Sequence, residues 1–278
     1  MSPAPGWEFA GRTDIGCVRR GNEDSWVIDD ELGLMIVADG MGGHNSGEVA
    51  SALAVAIIRD YAQRTPLRAA VGGLSPRGWR LEHCIKAANA AINEKGRASA
   101  QYAGMGTTVV AVQVDADSLS VAHVGDSRLY LLRRGVLTQL TADHSLVADQ
   151  ARQGLITLAE AEHSPLQNIL TRAVGTEADV QVDVAEHAVQ AGDMILLASD
   201  GLTKMVADAE IARLLRAQPA PASGATALVE RARREGGLDN ITVICGRNRP
   251  SPAPGLWGKL NEIFRRGIEP PASRGARP

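Results

Sequence analysis

An α+β fold, with helices laid on antiparallel sheets, follows from the order in which hydrophobic patterns occur along the chain. Two helical patterns stand in one block, at residues 45–63 and 81–92, and three β-rich runs stand in the next, at 107–114, 118–124 and 128–132. Blocks of this kind disfavour an alternating βαβ array and its parallel sheet. Composition agrees: 45% of the 278 residues are hydrophobic but only 3% are aromatic. Val, Ile, Leu and Ala must therefore build the core, as they do in sheets covered by helices. We expect one folded domain over residues 7–247 and a Pro-rich tail over 248–278.

Several function classes are disfavoured at this level. The net charge of −3 gives no global basic field for nucleic acid. Cys17, Cys84 and Cys245 are far apart and lack paired spacing, which argues against a disulfide framework and a zinc knuckle and suits a reducing cytoplasm. The first residues, Met-Ser-Pro-Ala-Pro-Gly-Trp-Glu, do not read as a signal peptide. The best apolar run, Val49 to Ile58, is shorter than the roughly 20 residues a spanning helix needs.

In chain order, residues 7–31 mix short β-like runs with charges, and Gly21-Asn22 alone reads as the turn of a solvated hairpin. The uninterrupted apolar run Leu34-Met35-Ile36-Val37-Ala38 then predicts a strand covered on both faces, delivering Asp39 into the turn Gly40-Met41-Gly42-Gly43. Asn45 with Glu48 reads as a helix cap, followed by the stripe Val49, Leu53, Ile57 and Tyr61. Leu81, Ile85, Ala88 and Ile92 predict a second helix packed on the first. The runs at 107–114, 118–124 and 128–132 read as an antiparallel meander, with Asp115-Ala116-Asp117 and Gly125-Asp126-Ser127 as its turns.

Residues 141–178 read as a mobile, lid-like insertion: Thr141-Ala142-Asp143-His144 caps a short helix and Gly154 ends it. Met194 to Ser199 is another apolar strand running into Asp-Gly, at Asp200-Gly201. Helices follow at 211–216 and after a Ser223 cap, with Ala225, Leu228, Val229 and Ala232 inward, stopped by Gly236-Gly237. Asp239-Asn240 then leads into the strand Ile241 to Cys245.

Three aspartates, Asp39, Asp200 and Asp239, thus each abut a buried strand beside Gly or Asn, a costly place for a lone charge. No cationic residue recurs beside them, and hard divalent cations favour oxygen ligands, so Mg²⁺ or Mn²⁺ is the physical candidate. Spacing alone leaves open a second reading, three unrelated turns.

The ordered phrases Val18-Arg19 with Asn22-Glu23-Asp24, Asp39-Gly40-Met41-Gly42-Gly43, Gly106-Thr107-Thr108, Val124-Gly125-Asp126-Ser127-Arg128, Ser199-Asp200-Gly201-Leu202 and Asp239-Asn240-Ile241-Thr242 resemble those of bacterial metal-dependent type 2C protein phosphatases of Ser/Thr. The resemblance spans Glu8 to Arg247 and implies a β-sandwich of two antiparallel sheets flanked by helices, with a binuclear metal centre at one end. It implies that Asp39, Asp200 and Asp239 ligate Mn²⁺ or Mg²⁺ with the Gly40 carbonyl, that Glu23 and Asp24 lie close by, and that Asp126 helps hold a third ion. Arg19 would clamp phosphate, a task that suits a planar guanidinium better than Lys.

The chemistry so implied is in-line attack of a metal-bridging water on a phosphoserine or phosphothreonine monoester in a protein, without a phosphoenzyme, in an enzyme that opposes a bacterial Ser/Thr kinase. Many animal members carry His two positions after the first metal-binding Asp, where this chain has Met41, so a general acid cannot be transferred. His44 reads as a cap or surface residue, His144 as a local structural contact and the cysteines as buried packing. The competing function is a catalytically silent phosphoprotein-binding module of the same fold. Retention of Arg19, Asp39, Asp200 and Asp239 favours turnover. In the tail, Leu256, Trp257, Leu260, Ile263 and Phe264 with Lys259, Arg265 and Arg266 predict a short basic amphipathic helix. Three covers for its apolar face are open: the domain itself, a partner protein or an anionic membrane surface.

Overall fold

The computed structural model describes residues 6–42, 46–67, 73–218 and 220–249. The expected helix cap at Asn45, His44 and the tail from residue 250 onward lie outside these described residues. Two antiparallel sheets are stacked face to face. One runs β1 (Trp7–Asp14), β11 (Ile241–Asn248), β10 (Met194–Ala198), β7 (Arg128–Arg133), β8 (Val136–Gln139). The other runs β2 (Asp24–Asp29), β3 (Leu34–Met41), β5 (Val109–Val114), β6 (Ser118–Val124), β9 (Asp183–Ala188), with β4 (Gly106–Thr107) paired on β3.

Both faces of the central strands are covered, which explains their continuous apolar runs. Along β3, Met35 and Val37 join Val110, Val112, Leu129, Ile195, Leu197 and Ile244 in the core between the sheets. Leu34, Ile36 and Ala38 face the opposite way, into a second cluster with α1 (Ser46–Arg64) and α2 (Pro76–Ala98). On β10 the alternation repeats, with Met194, Leu196 and Ala198 packed against α6 (Asp208–Ala217) and α7 (Pro221–Arg234). Period-two alternation thus serves two apolar faces, and the result is four layers, helix, sheet, sheet, helix.

Several local expectations are corrected. The buried stripe of α1 is Ala50, Ala54, Ile58 and Ala62, one position on from the expected one, and Tyr61 is exposed. Small alanines let the helix approach the sheet closely while Val49, Leu53 and Ile57 pack at its flanks. Gly21-Asn22 is no hairpin turn, because β1 and β2 belong to different sheets. The meander likewise breaks at Gly125-Asp126-Ser127, where the chain crosses from β6 in one sheet to β7 in the other. Finally, α7 begins at Pro221, and Ser223 lies inside its first turn, donating to the Ala220 carbonyl at 2.9 Å. Proline's fixed φ suits that first helical position.

The 141–178 segment carries α3 (Leu146–Arg152) and α4 (Leu158–Glu162) and is pinned by bridges Ser145↔Leu170 and Thr107↔Val174. Ser145, not Thr141 to His144, is the N-cap of α3. The last strand runs to Asn248, and Arg249 pairs with Glu8. Among the described residues no helix is long and apolar enough to cross a membrane.

Candidate metal centre

Strand register brings the predicted carboxylates to one end of the sandwich. Asp24 at the start of β2 faces Asp39 near the end of β3. Ala198, ending β10, pairs with Val243 near the start of β11 and with Arg128 at the start of β7. The residues just beyond, Asp200, Asp239 and Asp126, are therefore neighbours although far apart in sequence. Asp200 opens α5 (Asp200–Thr203), so its strand-to-helix corner is rigid on both sides.

Close backbone approach fixes this corner. A Cβ on Gly40 would lie 2.2 Å from the Gly47 carbonyl oxygen and 2.5 Å from that of Glu23, and one on Gly201 would lie 1.9 Å from the Asn240 carbonyl oxygen. Only glycine allows these approaches. The Gly40 amide donates to the Glu23 carbonyl at 3.1 Å, and the Ser51 hydroxyl donates to the same oxygen at 2.6 Å. Asn240 completes the junction: its Oδ1 accepts the Glu23 amide at 2.8 Å while its Nδ2 donates to the carbonyls of Ile15 and Gly21 at 3.0 and 2.9 Å.

The electrostatics are those of acids crowded out of water. Burial pushes Asp24 up to about 7 against hydrogen bonds from Thr242 and Ser199, and the charges of Asp200 and Asp239 add to the rise. Asp39 is held well above the carboxylate range by the desolvating protein around it and then by Asp24, Asp200 and Asp126. Asp126 is likewise raised to about 7 by burial and Asp200, with Lys204 opposing. Burial also raises Glu23, opposed by Arg19 and assisted by Asp239 and Glu48. Each rise states that the cluster resists ionisation unless cations enter it.

Two buried oxygens, Asp24 Oδ1 and Asp200 Oδ1, have no hydrogen-bond partner. An all-oxygen donor set with orphaned carboxylate atoms fits Mg²⁺ or Mn²⁺. Asp24, Asp39 and Asp200 crowd one another and Asp239 acts on Asp24; Asp39, Asp200, Asp239 and the Gly40 carbonyl are the groups that would hold such ions.

At the rim, Arg19 Nη2 bonds Asp239 Oδ2 at 2.7 Å, and about half of the Arg19 side chain is open to solvent. The expectation that no cation stands beside the aspartates fails at Arg19, on Asp239, and again at Lys204. Its ammonium bonds Asp200 Oδ2, lies 4.0 Å from Asp126 Oδ2 and donates to Asn168 Oδ1 at 2.5 Å. Burial disfavours that charge, but Asp200 and Asp126 outweigh burial and hold the ammonium above its ordinary value. The signal was in the sequence as the i,i+4 pair Asp200–Lys204.

His144 takes the local structural role expected for it. Its Nδ1 accepts the Gly125 amide at 3.1 Å and its own amide donates to the Gly125 carbonyl at 3.0 Å, steadying the residue before Asp126. The other ring nitrogen therefore carries the proton and donates to Asp183 Oδ2 at 3.3 Å. Burial, His123 and Arg172 lower this imidazole to about 4. Of the free cysteines, Cys84 and Cys245 are buried as expected, whereas Cys17 is exposed.

A helix-flanked double sheet whose two layers converge carboxylates on a divalent-cation site, with an exposed arginine at the rim, defines a metal-dependent phosphatase scaffold. A sequence profile described as Protein phosphatase 2C matches residues 20–232. The chain belongs to the protein phosphatase 2C family. It is 40% identical over 236 residues to the serine/threonine phosphatase stp of Listeria innocua, covering 84% of this chain and 92% of that protein. The crystal structure of serine/threonine phosphatase Stp1 from Staphylococcus aureus superposes with a TM-score of 0.82 at 34% identity, covering 90% of this chain and 98% of that one. The catalytic domain of serine threonine protein phosphatase PstP, solved in complex with two manganese ions, superposes with a TM-score of 0.77 at 37% identity, covering 88% and 99%.

Proposed function

We infer that this chain is a metal-dependent protein-serine/threonine phosphatase that uses Mn²⁺ or Mg²⁺. The observation that carries the reading is the crowding of Asp24 and Asp39 from one sheet with Asp200 and Asp126 beyond strand ends of the other, with Asp239 acting on Asp24, in a cluster whose carboxyls resist ionisation without cations. When bound, the cations supply the Lewis acidity that lowers the pKa of water and offsets charge on the phosphoryl oxygens.

The chain's own groups do the rest. Asp39, Asp200, Asp239 and the Gly40 carbonyl hold the ions. Asp24, anchored by Ser199, and Glu23, anchored through its backbone by Asn240 and Ser51, keep the cage in register. Arg19 turns from Asp239 to the substrate phosphate, where two parallel N–H donors match two phosphoryl oxygens. Phosphoserine and phosphothreonine in proteins are the substrates, and we assign the enzyme to opposing a Ser/Thr kinase in the cytoplasm, where its three free thiols would persist.

The test is phosphate release from a phosphothreonine peptide with Mn²⁺ and after chelation. Release that requires Mn²⁺ supports the reading. Binding of the phosphopeptide without release, at any Mn²⁺ concentration, would instead identify a silent binding module.

A further inference from the structure

The resemblance assigns Asp126 to a third divalent ion, yet a cation of the chain itself already stands between Asp126 and Asp200. The Lys204 ammonium bonds Asp200 Oδ2, lies 4.0 Å from Asp126 Oδ2 and completes its set of partners with Asn168 Oδ1 at 2.5 Å. The side chain is only 22% exposed. Helical geometry accounts for the placement: Lys204 follows Asp200 by four residues around α5, so its stem returns over the carboxylate it pairs with.

We propose that Lys204 is the resident cation of the third position, so that this centre takes two divalent ions and not three. The two oxygens of Asp200 then have separate tasks. Oδ2 is engaged by the ammonium, and the buried, unpartnered Oδ1 remains for the catalytic pair. A dication entering between Asp126 and Asp200 would meet a like charge at close range and would have to displace an ammonium that already has three oxygen neighbours. Because Asn168 belongs to the 141–178 segment, the same ammonium also joins that segment to the centre.

This inference rests on the reading of the site as a divalent-metal centre, and the experiment separates the two. The wild-type protein and the variants Lys204→Ala and Lys204→Met are dialysed to equilibrium against MnCl2, and bound manganese per folded chain is measured by atomic emission. Folding of each is checked by circular dichroism. We expect two ions per wild-type chain and three per chain in the variants, with an anomalous scattering peak between Asp126 and Asp200 in crystals of a variant only. Three ions in the wild type, or two in both folded variants, would overturn the role of Lys204 while leaving the metal centre intact. A wild type that binds none would overturn the metal centre as well.

Discussion

Ser199 Oγ donates to Asp24 Oδ2 at 2.9 Å, a fully buried bond that joins the end of β10 in one sheet to the start of β2 in the other. The same hydroxyl oxygen accepts the Thr242 amide at 3.0 Å, so one small side chain fixes three strands at the metal end of the sandwich. Ser199→Ala removes both bonds inside a dry junction and leaves the Thr242 amide unsatisfied. A loss of about 1–3 kcal/mol is expected from such an orphaned group, which corresponds to a melting temperature lower by roughly 2–10 °C for a domain of this size. Scanning calorimetry with saturating Mn²⁺ measures it, and an unchanged melting temperature would show that the bond holds nothing together.

Arg19→Lys should chiefly weaken phosphate engagement. One ammonium cannot reproduce two parallel guanidinium bonds, and a charge-assisted hydrogen bond is worth about 1.5–3 kcal/mol, or roughly a 10- to 100-fold change. We expect kcat/KM on a phosphopeptide to fall in that range, with KM raised and any further loss in kcat reporting contact in the transition state. Manganese binding should survive. Unchanged kinetics would remove Arg19 from the phosphate site.

The crowded acids also make the metal response depend on pH. Asp24 and Asp126 have folded-state values near 7, above the ordinary 3.8. A raised carboxyl favours the folded state below the ordinary value and loses that contribution as pH rises through the folded value. The metal-free protein therefore loses this contribution between about pH 4 and 7. Buried His123 and His144, both lowered, act in the opposite sense, losing stability as pH falls through 6.5 toward the folded value. The histidines are common to the metal-free and metal-bound proteins, so the difference between the two isolates the carboxyls. The stabilisation by Mn²⁺ should grow from pH 5.5 to pH 8, reaching about 3 kcal/mol at a hundredfold excess over Kd. That is roughly 5–10 °C in melting temperature. A shift independent of pH would contradict the raised carboxyls.

The legible parts of the fold and site share a cause. Leu34 to Ala38 could be read as a strand covered on both faces because its alternate residues face two different apolar layers, and Asp39 follows directly from where that strand stops. The helices after it were legible for the same reason, but the inward stripe of α1 was misplaced by one residue. Alanine carries little hydrophobic signal, yet it is what allows close helix–sheet contact. The crossover at Gly125-Asp126-Ser127 was hidden because the same residues would serve a hairpin turn. Lys204 was missed for a different reason. An acid–base pair four residues apart is common on solvated helices, and the third partner, Asp126, comes near only through the pairing of β7 with β10.

The proposed metal centre depends on Asp39 near the end of β3 and Asp239 just before β11 as cation ligands. Replacing either with asparagine keeps the shape and removes the negative charge that a hard dication requires. The most direct measurement is titration calorimetry with MnCl2 on the wild type, Asp39→Asn and Asp239→Asn, paired with phosphate release from a phosphothreonine peptide by the same samples. Loss of supporting groups around a metal already costs about 10–100-fold in affinity or activity, so loss of a ligand should cost at least that in both readouts while circular dichroism shows a folded protein. Wild-type manganese affinity together with wild-type turnover in either variant would contradict the metal centre described above.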